Sequence, residues 1–475
     1  MIPGRFRHVF LLICNLFYYV SCLLDIRYLL IVIGITIVTW LGSKMIDRCS
    51  LPKIRRTIVL FTVMLCVGSL IFFKYTVFLW DSLNRLAVWC NIPLSHFRLK
   101  ILMPLGISFY TFQALSYVFE VYKKKIAPEN NFIRYAAYVT FFPTILSGPI
   151  ERPEGLLAQI RELSDIRFDF NHFQNGLTLV LYGSFLKLVI ADRIAVIVNT
   201  VFTFYGEYGF FILLFAAVCY SIQIYCDFSS YSLIALGLGK MLGLRVTENF
   251  KAPYFSTSIQ EFWRRWHISL STWFRDYVYI PLGGSRCPTL QKNCNLMITF
   301  LVSGIWHGAN WTFIIWGMLH GFYQIVGTLT ANIRRKLYQY AHVKMDCFSF
   351  HLGQRVCTFL FVAFAWIFFR AETVKAAFLY IKRMFSMFDI WNLFDGTVYY
   401  LGLDTLQIDI LWFALLIMFL VDYVKYKKDK SIDAVLLEQN LLFRAVVLLL
   451  LFFMSFVFGM YGPAFDAQEF IYFQF

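Results

Sequence analysis

The segments Ser303-Gly304-Ile305-Trp306-His307-Gly308-Ala309-Asn310-Trp311 and Met318-Leu319-His320-Gly321 lie in a run without Lys, Arg, Asp or Glu from Asn293 to Ile333. The run holds 41 residues (333 − 293 + 1). One membrane crossing takes roughly 20 residues, so it is long enough to enter a bilayer and return. A hairpin folded at its midpoint has its apex near Phe313, with each histidine six or seven residues below it (313 − 307 and 320 − 313). At about 1.5 Å per residue this is a depth of roughly 10 Å. An ionisable ring at that depth is costly, which points to function.

The rest of the composition supports a membrane setting. Hydrophobic residues make up 59% of the chain, aromatic residues 20% and charged residues only 15%, which excludes an ordinary soluble globule. The apolar residues recur in helix-length runs and not in alternating ten-residue strands, so the expected class is an all-α polytopic helical bundle. The net charge of +15 comes from Lys and Arg gathered between those runs. Such clustering reads as membrane topology and gives no reason to expect a nucleic-acid partner. Eleven cysteines form no CxxC pair and no Cys/His ligand pattern. No metal site is expected, and cysteines such as Cys66, Cys219 and Cys226 read as small buried hydrophobes. The first apolar run lacks a small-residue cleavage site, so no removable leader is expected.

Apolar runs at about 9–24, 28–44, 57–80 and 101–122 are separated by a basic loop at 44–56, read as cytoplasmic, and a loop at 81–97 poor in basic residues. The piece at 134–149 ends in Phe142-Pro143 and Ser147-Gly148-Pro149 and reads as re-entrant. A helix from about 172 carries Lys187, Asp192 and Arg193, expected to snorkel or pair. The run 208–226 is followed by a shorter piece, 228–239, expected to be broken; Asp227 between them has a helix N-cap as its plain reading. Beyond the hairpin, runs at 355–370, 408–424 and 441–460 flank an extracytoplasmic segment with Asp389, Asp395, Asp404 and Asp409. The total is about ten crossings in one membrane-embedded domain over 1–475: N-terminal spans 1–100, a core 101–330 with the histidine motifs, and C-terminal spans 331–475. No internal repeat or soluble domain is visible.

Between Thr257 and Arg275, the residues Ile259, Phe262, Trp263, Trp266, Leu270, Trp273 and Phe274 keep one face of a helix, opposite Arg264, Arg265 and Arg275. An interfacial helix on the cytoplasmic leaflet is expected, with His267 on its apolar side. Arg264, Arg265, Arg275 and Trp266 are candidates to meet lipid headgroups or the phosphates of an anionic donor such as coenzyme A. His267 is open between a packed or capping residue and a functional one. His307 is the stronger candidate. A near-neutral imidazole can take a proton from a hydroxyl as its oxygen attacks an acyl group, and Asn310 offers an amide to orient the ring. His320 and Asp276 are possible supports. The chain has no phosphate-loop, dinucleotide, nucleophile-elbow or zinc-protease motif.

These residues resemble the membrane-bound O-acyltransferases, and within them the bacterial polysaccharide O-acetyltransferase branch typified by the alginate O-acetylation membrane subunit. The resemblance rests on Pro104-Leu105-Gly106-Ile107-Ser108-Phe109-Tyr110, Ser147-Gly148-Pro149-Ile150, Tyr225-Cys226-Asp227-Phe228-Ser229 and Glu248-Asn249-Phe250. It extends through Phe262-Trp263-Arg264-Arg265-Trp266-His267-Ile268-Ser269, Ile280-Pro281-Leu282-Gly283-Gly284, Trp306-His307-Gly308, Leu319-His320-Gly321 and the terminal Phe470-Ile471-Tyr472-Phe473-Gln474-Phe475. It spans most of the chain from about residue 100 onward. The first spans look shorter than in that branch, and Leu233 stands where an aspartate is expected.

The resemblance implies that His307 is the active-site histidine at the base of an extracytoplasmic funnel, with His267 a second functional histidine nearer the cytoplasm. It implies an acyl thioester donor such as acetyl-CoA, no tightly bound cofactor, and an extracytoplasmic polysaccharide acceptor reached through a separate periplasmic or surface lipase-like acetyltransferase. The lipid bilayer and a bacterial inner-membrane location follow from the same likeness. D-alanyl transfer to teichoic acid, and transport of an acyl carrier or polymer, stand as the alternatives.

Overall fold

The computed structural model describes all residues except Met1, Leu24, 93–100, 462–469 and 471–475. Of the terminal aromatic segment only Phe470 falls within the described residues, and 93–97 of the loop expected at 81–97 lie outside them. The described chain is helical, as the composition requires, and contains no strand among these residues. It divides into two compact units, Met1–Gly176 with Ala235–Thr247, and Leu177–Ile234 with Glu248–Phe475.

Six helices among the described residues are long and apolar enough to cross a membrane: Ile26–Arg48, Pro52–Trp89, Phe210–Met241, Phe348–Arg370, Thr405–Lys428 and Leu441–Phe458. Sequence patterning leads to about ten. Of the remaining candidates, Arg7–Cys22 and Ile107–Tyr122 have 16 residues each, short of a full crossing. Leu449, Leu450, Phe452 and Phe453 on Leu441–Phe458 are exposed in the protein alone, as lipid-facing side chains should be.

In the first unit, the segment expected to be re-entrant opens with the helix Phe132–Val139 of 8 residues, only about 12 Å long and too short to cross. The backbone that follows makes only a few turn hydrogen bonds of its own, such as the Ile145 N–H to the Phe141 carbonyl (3.0 Å) and the Gly148 N–H to the Thr144 carbonyl (3.1 Å), and side chains supply further partners. Asn15 accepts from the Phe142 N–H (3.1 Å) and donates to the Ala137 carbonyl (3.1 Å). The Glu151 N–H donates to Gln113 Oε1 (3.3 Å), and the Tyr138 hydroxyl donates to the Glu151 carbonyl (2.8 Å). Gly106 begins Ile107–Tyr122 at φ +72°, where a Cβ would collide with the Ile145 carbonyl. Glu151 is buried, and its carboxylate accepts from the Thr247 N–H (2.6 Å) and hydroxyl (3.1 Å).

Phe210–Met241, of which the second unit holds the part up to Ile234, is one continuous helix of 32 residues, so 228–239 is not broken and Asp227 is not a helix N-cap. Asp227 instead accepts from the Lys187 ammonium (2.7 Å), which also holds Asp192 (2.9 Å). With its charge neutralised inside the protein, the acid can sit within an apolar helix. Lys187 lies in a π-helical turn, Leu186–Ala191, between Phe170–Phe185 and Asp192–Thr203, and Arg193 donates to the Val189 carbonyl (3.0 Å). The expected pairing of these charges is therefore present. The aspartates of 389–409 shape local structure: Asp389 and Asp395 accept from the N–H groups of Trp391 and Thr397, and Asp404 caps Thr405–Lys428.

Two outcomes follow from these buried charges. Burial pushes the Glu151 carboxyl up to about 7 from its ordinary 4.5, against the hydrogen bonds from Thr247. A raised acid means that the folded state holds its proton more tightly than the unfolded chain does. Stability is expected to fall as pH rises from about 4.5 to about 7, by at most about 3 kcal/mol. Glu151→Gln should remove that part of the dependence, read as thermal unfolding of the solubilised protein across the window. Lys187→Met strands two buried carboxylates and should lower stability by about 3–5 kcal/mol, read as a fall in melting temperature.

Candidate functional site

The amphipathic stretch does not form one helix. It runs as Ile259–Arg265, breaks at Trp266 and His267, resumes as Ile268–Phe274 and ends in a π-helical turn, Arg275–Tyr279. His267 stands at the break with φ +43°, ψ +55°, a left-handed conformation that costs a non-glycine residue energy. Asn249 holds it there. The Ile268 N–H donates to the Asn249 carbonyl (3.1 Å) and the Ser269 N–H to Asn249 Oδ1 (3.1 Å), while the Asn249 amide donates to Ser232 Oγ (3.3 Å). The Lys251 N–H donates to the Arg265 carbonyl (3.0 Å) on the other side of the break. His267 is fully buried, its ring centroid 4.6 Å from Phe228 and 6.2 Å from Trp306. Burial, and then the neighbouring His307, hold the His267 imidazole well below the ordinary histidine value.

The apolar face of this stretch meets protein. Phe262, Trp263, Trp266, Leu270, Trp273 and Phe274 are all buried. Trp266 has no exposure and packs on Phe262, Phe250 and Trp366, so it cannot touch a headgroup. Of the arginines, Arg264 is exposed, Arg265 is tied to Glu261 (2.9 Å) and to the Lys251 carbonyl (3.0 Å), and Arg275 pairs with Asp276 (2.8 Å). Arg264 and Arg275 are both exposed, the latter with Asp276 as its ion-pair partner.

The uncharged run forms two helices, Thr289–His307 and Trp311–Leu329, of 19 residues each. The turn is Gly308-Ala309-Asn310, not Phe313, so His307 is the last residue of the first helix and the midpoint estimate of its depth does not hold. The signal was in the sequence: Asn310 is an N-cap, its Oδ1 accepting from the Thr312 N–H (3.2 Å). Its amide donates to the Glu372 carbonyl (2.8 Å), so Asn310 is spent on the turn and does not orient His307. The helices press backbone against backbone, since a Cβ on Gly304 would collide with the Phe313 carbonyl and one on Gly317 with that of Phe300.

His307 is buried, and its Nδ1 lies 2.7 Å from the Ser303 carbonyl, one helical turn back. A carbonyl can only accept, so Nδ1 carries the proton and Nε2 presents a lone pair. The ring lies 5.0 Å from Trp306, 4.7 Å from Trp316 and 5.6 Å from Phe369. His320 lies 5.1 Å from Trp316 and is fully buried. Its Nδ1 accepts from the Trp263 indole N–H (3.2 Å), which places the His320 proton on Nε2. The fold therefore gathers His267, His307 and His320 into one aromatic cluster, with Trp306 between the first two and Trp316 between the last two. Periodicity could not reveal the contributions of Asn249, Ser303, Trp263 and Trp316, which depend on contacts made in the folded chain. No group of three or more His, Cys, Asp or Glu residues suited to a metal occurs among the described residues.

Comparison with known proteins places the chain in a family. Residues 127–371, more than half of the chain, match the membrane-bound O-acyltransferase family and include all three clustered histidines. The chain is 38% identical to the "Probable alginate O-acetylase AlgI" of Pseudomonas aeruginosa over 82% of its own length and 71% of the relative's. It is 32% identical to the peptidoglycan O-acetyltransferase of Helicobacter pylori over 80% of its length and 74% of the relative's. Similarity to the teichoic acid D-alanyltransferase of Bacillus subtilis is 29% over 46% of the chain and 56% of that protein. With its helical membrane architecture and the extent of these matches, this chain belongs to the membrane-bound O-acyltransferase family.

Proposed function

We propose that this membrane O-acyltransferase moves an acetyl group from a cytoplasmic thioester, acetyl-CoA, to an oxygen acceptor on the far side of a bacterial inner membrane, with His307 as general base. The observation that carries the assignment is the Nδ1–H of His307 held on the Ser303 carbonyl, which leaves Nε2 as the basic nitrogen of a buried ring. The acceptor hydroxyl gives its proton to Nε2 as its oxygen adds to the thioester carbonyl carbon. The C–S bond then breaks, and the imidazolium returns the proton to the departing thiolate. Acetyl moves outward and one proton inward, so no net charge crosses.

Acetyl is favoured over D-alanyl because the two O-acetylating relatives align over 80% or more of the chain and the D-alanyltransferase over less than half. The relatives' names, alginate in one case and peptidoglycan in the other, support a polysaccharide of the cell envelope as acceptor class. A separate extracytoplasmic lipase-like transferase completes delivery, since the described segment at 387–404 offers only short turns to grip a polymer. In this reading His267 is a second functional group of the same cluster, Asn249 positions it, and the exposed Arg264 and Arg275 meet the donor's phosphates.

In membranes supplied with radiolabelled acetyl-CoA, His307→Ala should lower transfer at least about 10²-fold at matched protein levels. Unchanged labelling would remove His307 as the base. Asn249→Ala should lower transfer about tenfold through lost hydrogen bonding at the His267 break, with Asn249→Asp, which keeps the acceptor for Ser269, closer to wild type. Equal rates for the two variants would show that the Asn249 side chain does not position His267.

A further inference from the structure

Along Trp311–Leu329, Thr312, Trp316, His320 and Gln324 recur at every fourth residue and therefore share one face. All four are buried. Thr312 Oγ1, Trp316 Nε1 and His320 Nε2 have no hydrogen-bond partner among the described residues. Buried polar atoms normally find partners, so three orphans in a row need an explanation. Packing alone does not provide one, because the opposite nitrogen of the same His320 ring is satisfied by Trp263 at 3.2 Å.

The two nitrogens share a chemistry. An indole N–H can only donate, and the Trp263 bond to Nδ1 leaves His320 Nε2 carrying its proton. Both donors belong to the ring cluster of His307, with Trp316 4.7 Å from His307 and 5.1 Å from His320 between centroids. Their complement is an acceptor oxygen, best one on which negative charge develops, in a setting that excludes water. Building on the assignment of His307 as base, we infer that Trp316 Nε1–H and His320 Nε2–H form the donor pair for the carbonyl oxygen of the acyl thioester. When the acceptor oxygen adds to the carbonyl carbon, the C=O π pair moves onto that oxygen, opposite the two N–H groups. As the pair returns, the C–S bond breaks and the thiolate leaves with the proton from His307. His320 is then a donor and not a second base, and Trp316 is a catalytic residue in its own right.

The test uses the full-length purified protein with acetyl-CoA labelled at the carbonyl carbon, together with the membrane transfer assay. Trp316→Phe keeps the ring and deletes the N–H; His320→Phe deletes the other donor; His320→Gln keeps an N–H and an acceptor for Trp263. The bound carbonyl stretch should lie at lower frequency in wild type and His320→Gln than in either Phe variant. Trp316→Phe and His320→Phe should each lose about 10²–10³-fold in kcat with KM little changed, and His320→Gln should recover most of the loss. Wild-type rates in Trp316→Phe beside an inactive His307→Ala would overturn the donor pair and leave the base assignment standing. Wild-type rates in both would overturn the base assignment as well. A loss of rate that tracks melting temperature, with the carbonyl frequency unmoved, would make the row structural and overturn the inference.

Discussion

A peptide N–H or C=O without a partner in hydrocarbon costs several kcal/mol, and the two irregular stretches after Val139 and at Trp266–His267 are built around that constraint. Regular helices meet it internally. The segment after Val139 meets it only in part, so Asn15 and Gln113 reach into it from neighbouring helices and Tyr138 from the helix that precedes it. So does the break at Trp266 and His267, where Asn249 and Lys251 supply partners through main chain and side chain. Asn15, Gln113 and Asn249 are thus polar side chains spent on backbone that departs from the helix.

The same constraint explains the position of the histidines. A left-handed residue places His267, and a helix end before a tight three-residue turn places His307, in one cluster. Close approach of Gly304 and Gly317 accompanies the packing of Trp316 against the ring of His307, with His320 against Trp316 in turn. Hydrogen bonds then assign complementary protonation to two neighbouring imidazoles. The Ser303 carbonyl leaves a lone pair on one, and the Trp263 indole leaves an N–H on the other. Two residues of the same type acquire opposite chemical characters because one ring nitrogen faces an acceptor and the other a donor.

Helical class, membrane setting and family were legible in hydropathy runs and in the Trp-His-Gly and Arg-Arg-Trp-His blocks, since burial in lipid demands long apolar helices whatever their packing. The stop after Val139 was legible in Pro143 and Gly148, and the pairing of Lys187 in the cost of an isolated buried charge. Where the reading failed, it took periodicity past a local signal. The hairpin midpoint overrode the Asn310 cap, and the amphipathic stripe ran through a break that is visible only when Asn249 is in place.

Composition and motif order therefore determined an all-helical membrane acyltransferase with His307, His267 and His320 as its candidate groups. Tertiary structure alone decided that Trp266 is core, that Asn310 serves the turn, and which nitrogen of His307 and His320 carries the proton. The physical reason is range. Apolar length and helix caps are properties of a few consecutive residues, whereas a tautomer or an unpartnered donor is set by atoms up to 57 residues distant, as Trp263 is from His320.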